Sequence, residues 1–240
     1  MVIRINGSAK KPPLSQSSQT LSASEFMELL YEIETLLGQD IHKSGESFYS
    51  SINTLKKGKY LIVGLNPGGD PKKILSSIKD SFQKIQNPEY NAYYENWLAN
   101  GKKHRLQENL KTLFAYLEYP LRDVCATNII YERTRRESDL TISKMEAYKQ
   151  ILSKTINLIE PEVIITFGRK PYNFLLELFP SYPHKTISIE SGHSNWTIEL
   201  TLFALPQQMK VIGLPHLSVY TLYNRPEKMQ LLKDFCKPCT

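Results

Sequence analysis

No stretch of this chain approaches the roughly 18 consecutive apolar residues that suggest a membrane-spanning helix, so no membrane partner is expected. Cysteine is scarce as well. Cys125, Cys236 and Cys239 cannot build a disulfide framework, which points to a reducing compartment. Cys236-Lys-Pro-Cys239 is a single C-x-x-C without a second pair, and chance spacing explains it better than zinc. Acidic residues are missing from Met1 to Ser24, a segment rich in Ser and Lys. It lacks the charged and apolar blocks of a secretory signal, so residues 1–21 read as a disordered tail and secretion is not expected. Also absent are a Gly-Lys-Ser/Thr phosphate loop, a G-x-G-x-x-G fingerprint, a G-x-S-x-G nucleophile elbow and any internal repeat. The commonest nucleotide-binding and hydrolase signatures are thereby set aside.

What is present suffices for a substantial core. The chain has 240 residues, 41% of them hydrophobic, which suits one larger domain over residues 22–240 better than two small ones. Thirty Lys and Arg against 24 Asp and Glu leave a net charge of +6. That surplus suits a polyanionic partner without proving one.

Helices and strands alternate. Ser22-Ala-Ser-Glu25 reads as a capping box, followed by Phe26, Leu29, Leu30, Ile33 and Leu37 at helical spacing and Gly38 as the stop. Strands are expected at Tyr60–Val63, Val124–Ile130, Val163–Phe167 and Lys210–Gly213. Helical faces run through Leu106 to Leu117 and through Ile142 to Ile159, Pro171 sits in the first turn of another helix, and Pro226 opens the last. Ser188 to Phe203 suggests a hairpin or edge strands, and Ile74 to Gly101 is polar, aromatic-rich and hard to assign. The fold expected is α/β: a three-layer α/β/α sandwich around a central, mainly parallel four-stranded sheet.

In such a sheet ligands bind beyond the carboxyl ends of the strands. Asn66, Asn128, Arg169 and His216 all sit at or just past such ends, so they can converge although distant in sequence. The strand Tyr60–Val63 runs into Gly64-Leu-Asn-Pro-Gly-Gly69, where Gly68 and Gly69 would let a phosphate or sugar approach backbone amides. The same residues also make a good turn. Asp70 before Pro71 reads as a helix N-cap, and His184 and His193 as solvated.

"GLNPGG" resembles the first motif of the uracil-DNA glycosylase superfamily, in the asparagine form of its mismatch-specific and single-strand-selective branches. "CATNII" resembles the strand whose asparagine reads the base, "LIEPEVIITFGRKPYNFLL" the helix-strand-helix passage, and "GLPHLSVY" the second active-site motif. The order and spacing of these motifs span Tyr60 to Tyr223, about two thirds of the chain. Two departures stand out: the second motif reads His-Leu-Ser without the family's usual proline, and no cysteine falls at the positions of the iron-sulfur branches.

The resemblance implies a monofunctional glycosylase that hydrolyses the bond between sugar and uracil, or a related deaminated base, in DNA. It implies no cofactor and no metal, and a cytoplasmic enzyme, nucleoid-associated in a bacterium or nuclear in a eukaryote. Asn66 would orient the attacking water, and His216 would donate a hydrogen bond to O2 of the departing base. Preorganised donors of that kind are worth roughly 10²–10³ in rate. Asn128 would accept from N3–H and donate to O4 of uracil, the reverse of cytosine's pattern. Gly64 and Leu65 would complete the base pocket. Gly68, Gly69, Ser218, Arg133 and Arg135 would contact DNA, with Arg136 and the cluster Lys102, Lys103 and Arg105 as further phosphate partners. An aromatic ring should stack on the extruded base, from among Phe82, Tyr90, Tyr93 and Tyr94, and Leu217, Tyr220 or Leu222 could wedge into the vacated gap. Two alternatives stay open: a member of the same fold that binds nucleotide, nucleic acid or protein without turnover, and an N-glycosidase of small nucleosides.

Overall fold

The computed structural model describes residues 22–98, 100–139, 144–204 and 208–238. Six strands form one mixed sheet: β1 Tyr60–Gly64, β2 Cys125–Asn128, β3 Val163–Phe167, β4 His184–Glu190, β5 Thr197–Phe203 and β6 Met209–Leu214, in the order β2-β1-β3-β6-β5-β4. The helices are α1 Ala23–Leu37, α2 Ile78–Ile85, α3 Arg105–Tyr116, α4 Met145–Ile159, α5 Arg169–Leu178 and α6 Pro226–Phe235.

β2, β1, β3 and β6 pair in parallel, and every residue in them is buried. Continuous apolar runs such as Tyr-Leu-Ile-Val are what a strand covered on both faces requires. Alternate residues supply two separate cores. Leu61, Val63, Ile164 and Val211 pack with α1, α2, α4 and α5, while Tyr60, Ile62, Ile165 and Ile212 pack with α3 and α6.

The expected four-stranded sheet is corrected to six. The hairpin β4–β5 begins four residues earlier than Ser188 and joins the sheet through antiparallel pairing of β5 with β6. α4 begins at Met145; Ile142, expected on its face, lies outside the described residues. Asp70 opens no helix. Its carbonyl accepts from the Lys73 and Ile74 amides in a single turn, and its Oδ1 accepts from the Lys72 amide. The segment from Ile74 contains a helix after all: Ser77 and Asp80 form a reciprocal capping box, and α2 buries Ile78, Phe82 and Ile85.

From β1 the chain passes through α2 and α3 to β2 on one side. From β2 it returns through α4 to β3 on the other side of β1. The connections therefore part beyond the carboxyl ends of β1 and β3, where a parallel sheet leaves a crevice.

Candidate functional site

A cleft of about 720 Å³ opens at that end of the sheet. Its wall includes Asn66, two residues past β1; Asn128, the last residue of β2; Gly168 and Arg169, just past β3; and His216, two residues past β6. Four parallel strands thus each deliver a residue to one cavity.

Asn66 is half-buried and its amide orientation is fixed. Nδ2 donates to the Thr134 hydroxyl at 2.9 Å and to the Pro67 carbonyl at 3.1 Å, and Thr134 Oγ1 in turn donates to the Arg136 carbonyl at 2.8 Å. A carbonyl can only accept, so the nitrogen must lie on that side and Oδ1 on the other. The amide oxygen is thereby presented as an acceptor.

Asn128 lies across Gly64, its register partner in β1. A Cβ on Gly64 would sit 2.3 Å from Asn128 Oδ1 and 3.2 Å from the Phe167 ring, so this approach requires glycine. Nδ2 of Asn128 donates one hydrogen to Tyr49 Oη at 3.1 Å and keeps a second. Burial raises the Tyr49 pKa, which keeps its hydroxyl neutral and able to accept. Leu65 is half-buried in the cleft wall, and its carbonyl is bound by the Ile130 amide.

His216 is exposed on the loop after β6. Its Nδ1 accepts from the Ser218 amide at 3.3 Å and lies 2.7 Å from Ser218 Oγ. An amide N–H only donates, so the neutral ring carries its proton on Nε2. The imidazole stands edge-on to Phe167, with centroids 5.6 Å apart. An amide from α3 holds this loop. Buried Asn109 donates to the Leu217 and Tyr220 carbonyls at 2.8 and 3.0 Å and accepts from the Leu222 amide at 3.3 Å. The N-terminus of α5 opens at Gly168 and Arg169 on the same wall, adding a partial positive charge.

Several expected contacts are placed differently. Arg133 is buried, not exposed: it bonds the Gly68 carbonyl and lies 3.6 Å from Glu46, so its charge clamps the glycine loop from beneath. Glu46 is itself buried and also accepts from Lys84 at 3.2 Å and Tyr90 Oη at 3.0 Å. Arg135 is exposed but paired with Asp70, whose pKa that hydrogen bond lowers. Arg136 lines the rim. Gly68 faces open space, whereas Gly69 has a φ of +112° that disfavours any side chain. The Ser218 hydroxyl is engaged by His216. Leu217, Tyr220 and Leu222 are fully buried and cannot act as wedges; the exposed apolar side chains of that loop are Val219 and Tyr223. Phe82 is core, and Tyr94 packs under Arg122 outside the cleft wall, which leaves Tyr90 and Tyr93 from the aromatic candidates. His184 is exposed against Phe203, and His193 is half-buried against Trp196 rather than fully solvated. Cys236 is buried, Cys239 lies outside the described residues, and no metal-binding cluster occurs among the described residues.

Glu46, Tyr49, Asn109, Thr134 and Phe167 escaped the sequence reading. Ser44 to Ser50 pairs through isolated bridges to Ser77, Glu132, Thr127 and Asn91, without the period that marks a strand. Thr134 and Asn109 act only through partners distant in sequence. Phe167 was visible as the end of β3, but as core.

Compared with models of known protein families the chain matches none, and no curated protein is significantly similar to it in sequence.

Proposed function

We propose that this protein is a monofunctional DNA glycosylase of the uracil-DNA glycosylase type, built as a three-layer α/β/α sandwich. It would hydrolyse the bond between deoxyribose and uracil, or a related deaminated base, and leave an abasic site. The observation that carries this is the convergence of Asn66, Asn128 and His216 on one cleft, each with its hydrogen-bonding direction fixed by a named partner.

A base extruded from the strand enters beside Gly64. Asn128 Oδ1 accepts from N3–H, and the remaining hydrogen on Nδ2 donates to O4; cytosine offers the opposite groups at both atoms. As the glycosidic bond breaks, its electron pair stays with the base and charge gathers at O2. His216 Nε2–H donates there, and the α5 N-terminus favours the same charge. Water held by Asn66 Oδ1 attacks the sugar carbon. An amide is too weak a base to take the water's proton, so water addition follows a largely broken bond and the proton passes to the departed base anion or to solvent, which implies a slow enzyme.

Single-turnover cleavage of uracil-containing oligonucleotides, single-stranded and mismatched, tests the proposal. Asn66→Ala should keep its melting temperature and DNA affinity while losing about 10²–10⁴-fold in rate, the range typical of positioned proton-handling groups. A folded wild-type protein that binds DNA but releases no base would favour a binding module of the same fold. Cleavage of free nucleosides would favour the small-molecule enzyme.

A further inference from the structure

The cleft wall extends beyond Asn66, Asn128 and His216. From Asn128 a row of aromatic rings leads outward. Tyr49 bonds the Asn128 amide, Tyr93 stacks on Tyr49 at 6.0 Å and 12°, Trp97 meets Tyr49 edge-on at 6.3 Å, and His104 lies 6.2 Å from the indole. All four line the cleft. Tyr93 is buried, Tyr49 and His104 are half-buried, and Trp97 alone is exposed, at 37%.

We propose that Trp97 is a second stacking subsite. It would hold an unpaired nucleobase next to the one entering the cleft, so that the site takes single-stranded nucleic acid. The inference rests on the glycosylase reading and adds to it the form of the substrate. An indole serving only the core would be buried; this one packs against Tyr49, Tyr93 and His104 and is still 37% exposed to the cleft. The backbone that leads to it is held by Gln107, fully buried in α3, whose Nε2 donates to the Ala92 and Glu95 carbonyls at 2.7 and 2.8 Å. His104 caps the same helix, its Nδ1 accepting from the Leu106 amide. The chain before and after Trp97 is thus tied to the start of α3.

Its surroundings suit a phosphate backbone. Lys102, Lys103 and Arg105 follow the platform within a few residues, and Arg105 Nη1 reaches across to the Val219 carbonyl at 3.3 Å, tying this rim to the His216 loop. Aromatic rings beside basic side chains hold single strands because every base offers a stacking face. Bases inside a duplex have both faces covered by their neighbours, so a paired strand gains nothing from this ring unless it opens.

The test uses Trp196→Phe protein, in which Trp97 is the only tryptophan, and a short uracil-free oligonucleotide offered as a single strand or as a hairpin duplex. The single strand should quench Trp97 fluorescence on binding. Trp97→Ala should weaken that binding about 5- to 150-fold, the range for loss of one base–aromatic stack. Trp97→Phe should retain most of it, and duplex affinity should not change. Unmoved Trp97 fluorescence at saturating single strand would overturn the subsite, a result that stands even if Trp97→Ala fails to fold. Equal losses on single strand and duplex would overturn it too. Failure to bind either form would instead remove the nucleic-acid reading on which the subsite rests.

Discussion

Gly64 illustrates how one missing side chain lets two strands' residues meet at the cleft. Asn128 occupies the space that a Cβ would fill, with Phe167 closing the other side. Gly64→Ala must therefore displace the Asn128 amide, the Phe167 ring or β1. Overpacking of this kind costs about 1–3 kcal/mol, which the protein should survive as a lowered melting temperature. The larger expected effect is on recognition: uracil cleavage falls, and the preference for uracil over cytosine narrows. Full activity with unchanged selectivity in folded Gly64→Ala protein would take Asn128 out of the base-reading role. Asn66 and His216 were legible because each sits in a loop just past a strand, and Asn128 because it ends one. Their supporters were not. Thr134 lies 68 residues from Asn66 and Tyr49 lies 79 from Asn128, and no local pattern announces a hydrogen bond across such distances.

Among the elements, α3 carries more of the site than its sequence suggests. Its apolar positions Leu110, Leu113 and Phe114 are read easily from helical spacing and pack beneath the sheet. Two polar residues on its buried side, Gln107 and Asn109, hold the aromatic rim and the His216 loop. Asn109→Leu keeps nearly the same volume but strips three hydrogen bonds from buried backbone groups of that loop. Leaving a buried group unsatisfied costs about 1–3 kcal/mol, so melting temperature should fall. If Asn109 positions His216, cleavage should slow as well, and the same substitution in a His216→Ala background should slow it no further. A stability loss with an unchanged rate would assign Asn109 to packing alone. The sheet itself was only partly legible. The four parallel strands announce themselves as short apolar runs, while β4 is exposed along nearly its whole length, so only its second half was read as part of a hairpin and its start at His184 was missed.

At the scale of the molecule, the surplus of six positive charges matters less than where it is spent. Arg133 is consumed internally by Glu46 and the Gly68 carbonyl, so replacing it should damage the fold first. Arg135 is exposed and sits on the rim, but Asp70 answers its charge. The hydrogen bond from Arg135 depresses the Asp70 pKa, so the pair persists at neutral pH. It weakens only as acid carries the solution down through that lowered value. Asp70→Asn therefore releases one cation at the cleft mouth without disturbing the buried network beneath. If the rim contacts phosphates, the variant should bind DNA more tightly at low salt. Its plot of log affinity against log salt should also steepen by about 0.7–0.9, the increment for one additional neutralised phosphate. Arg135→Glu should move both quantities the other way. An unaltered slope in both variants would place the path of the DNA away from this rim, even in a protein whose cleavage chemistry is intact.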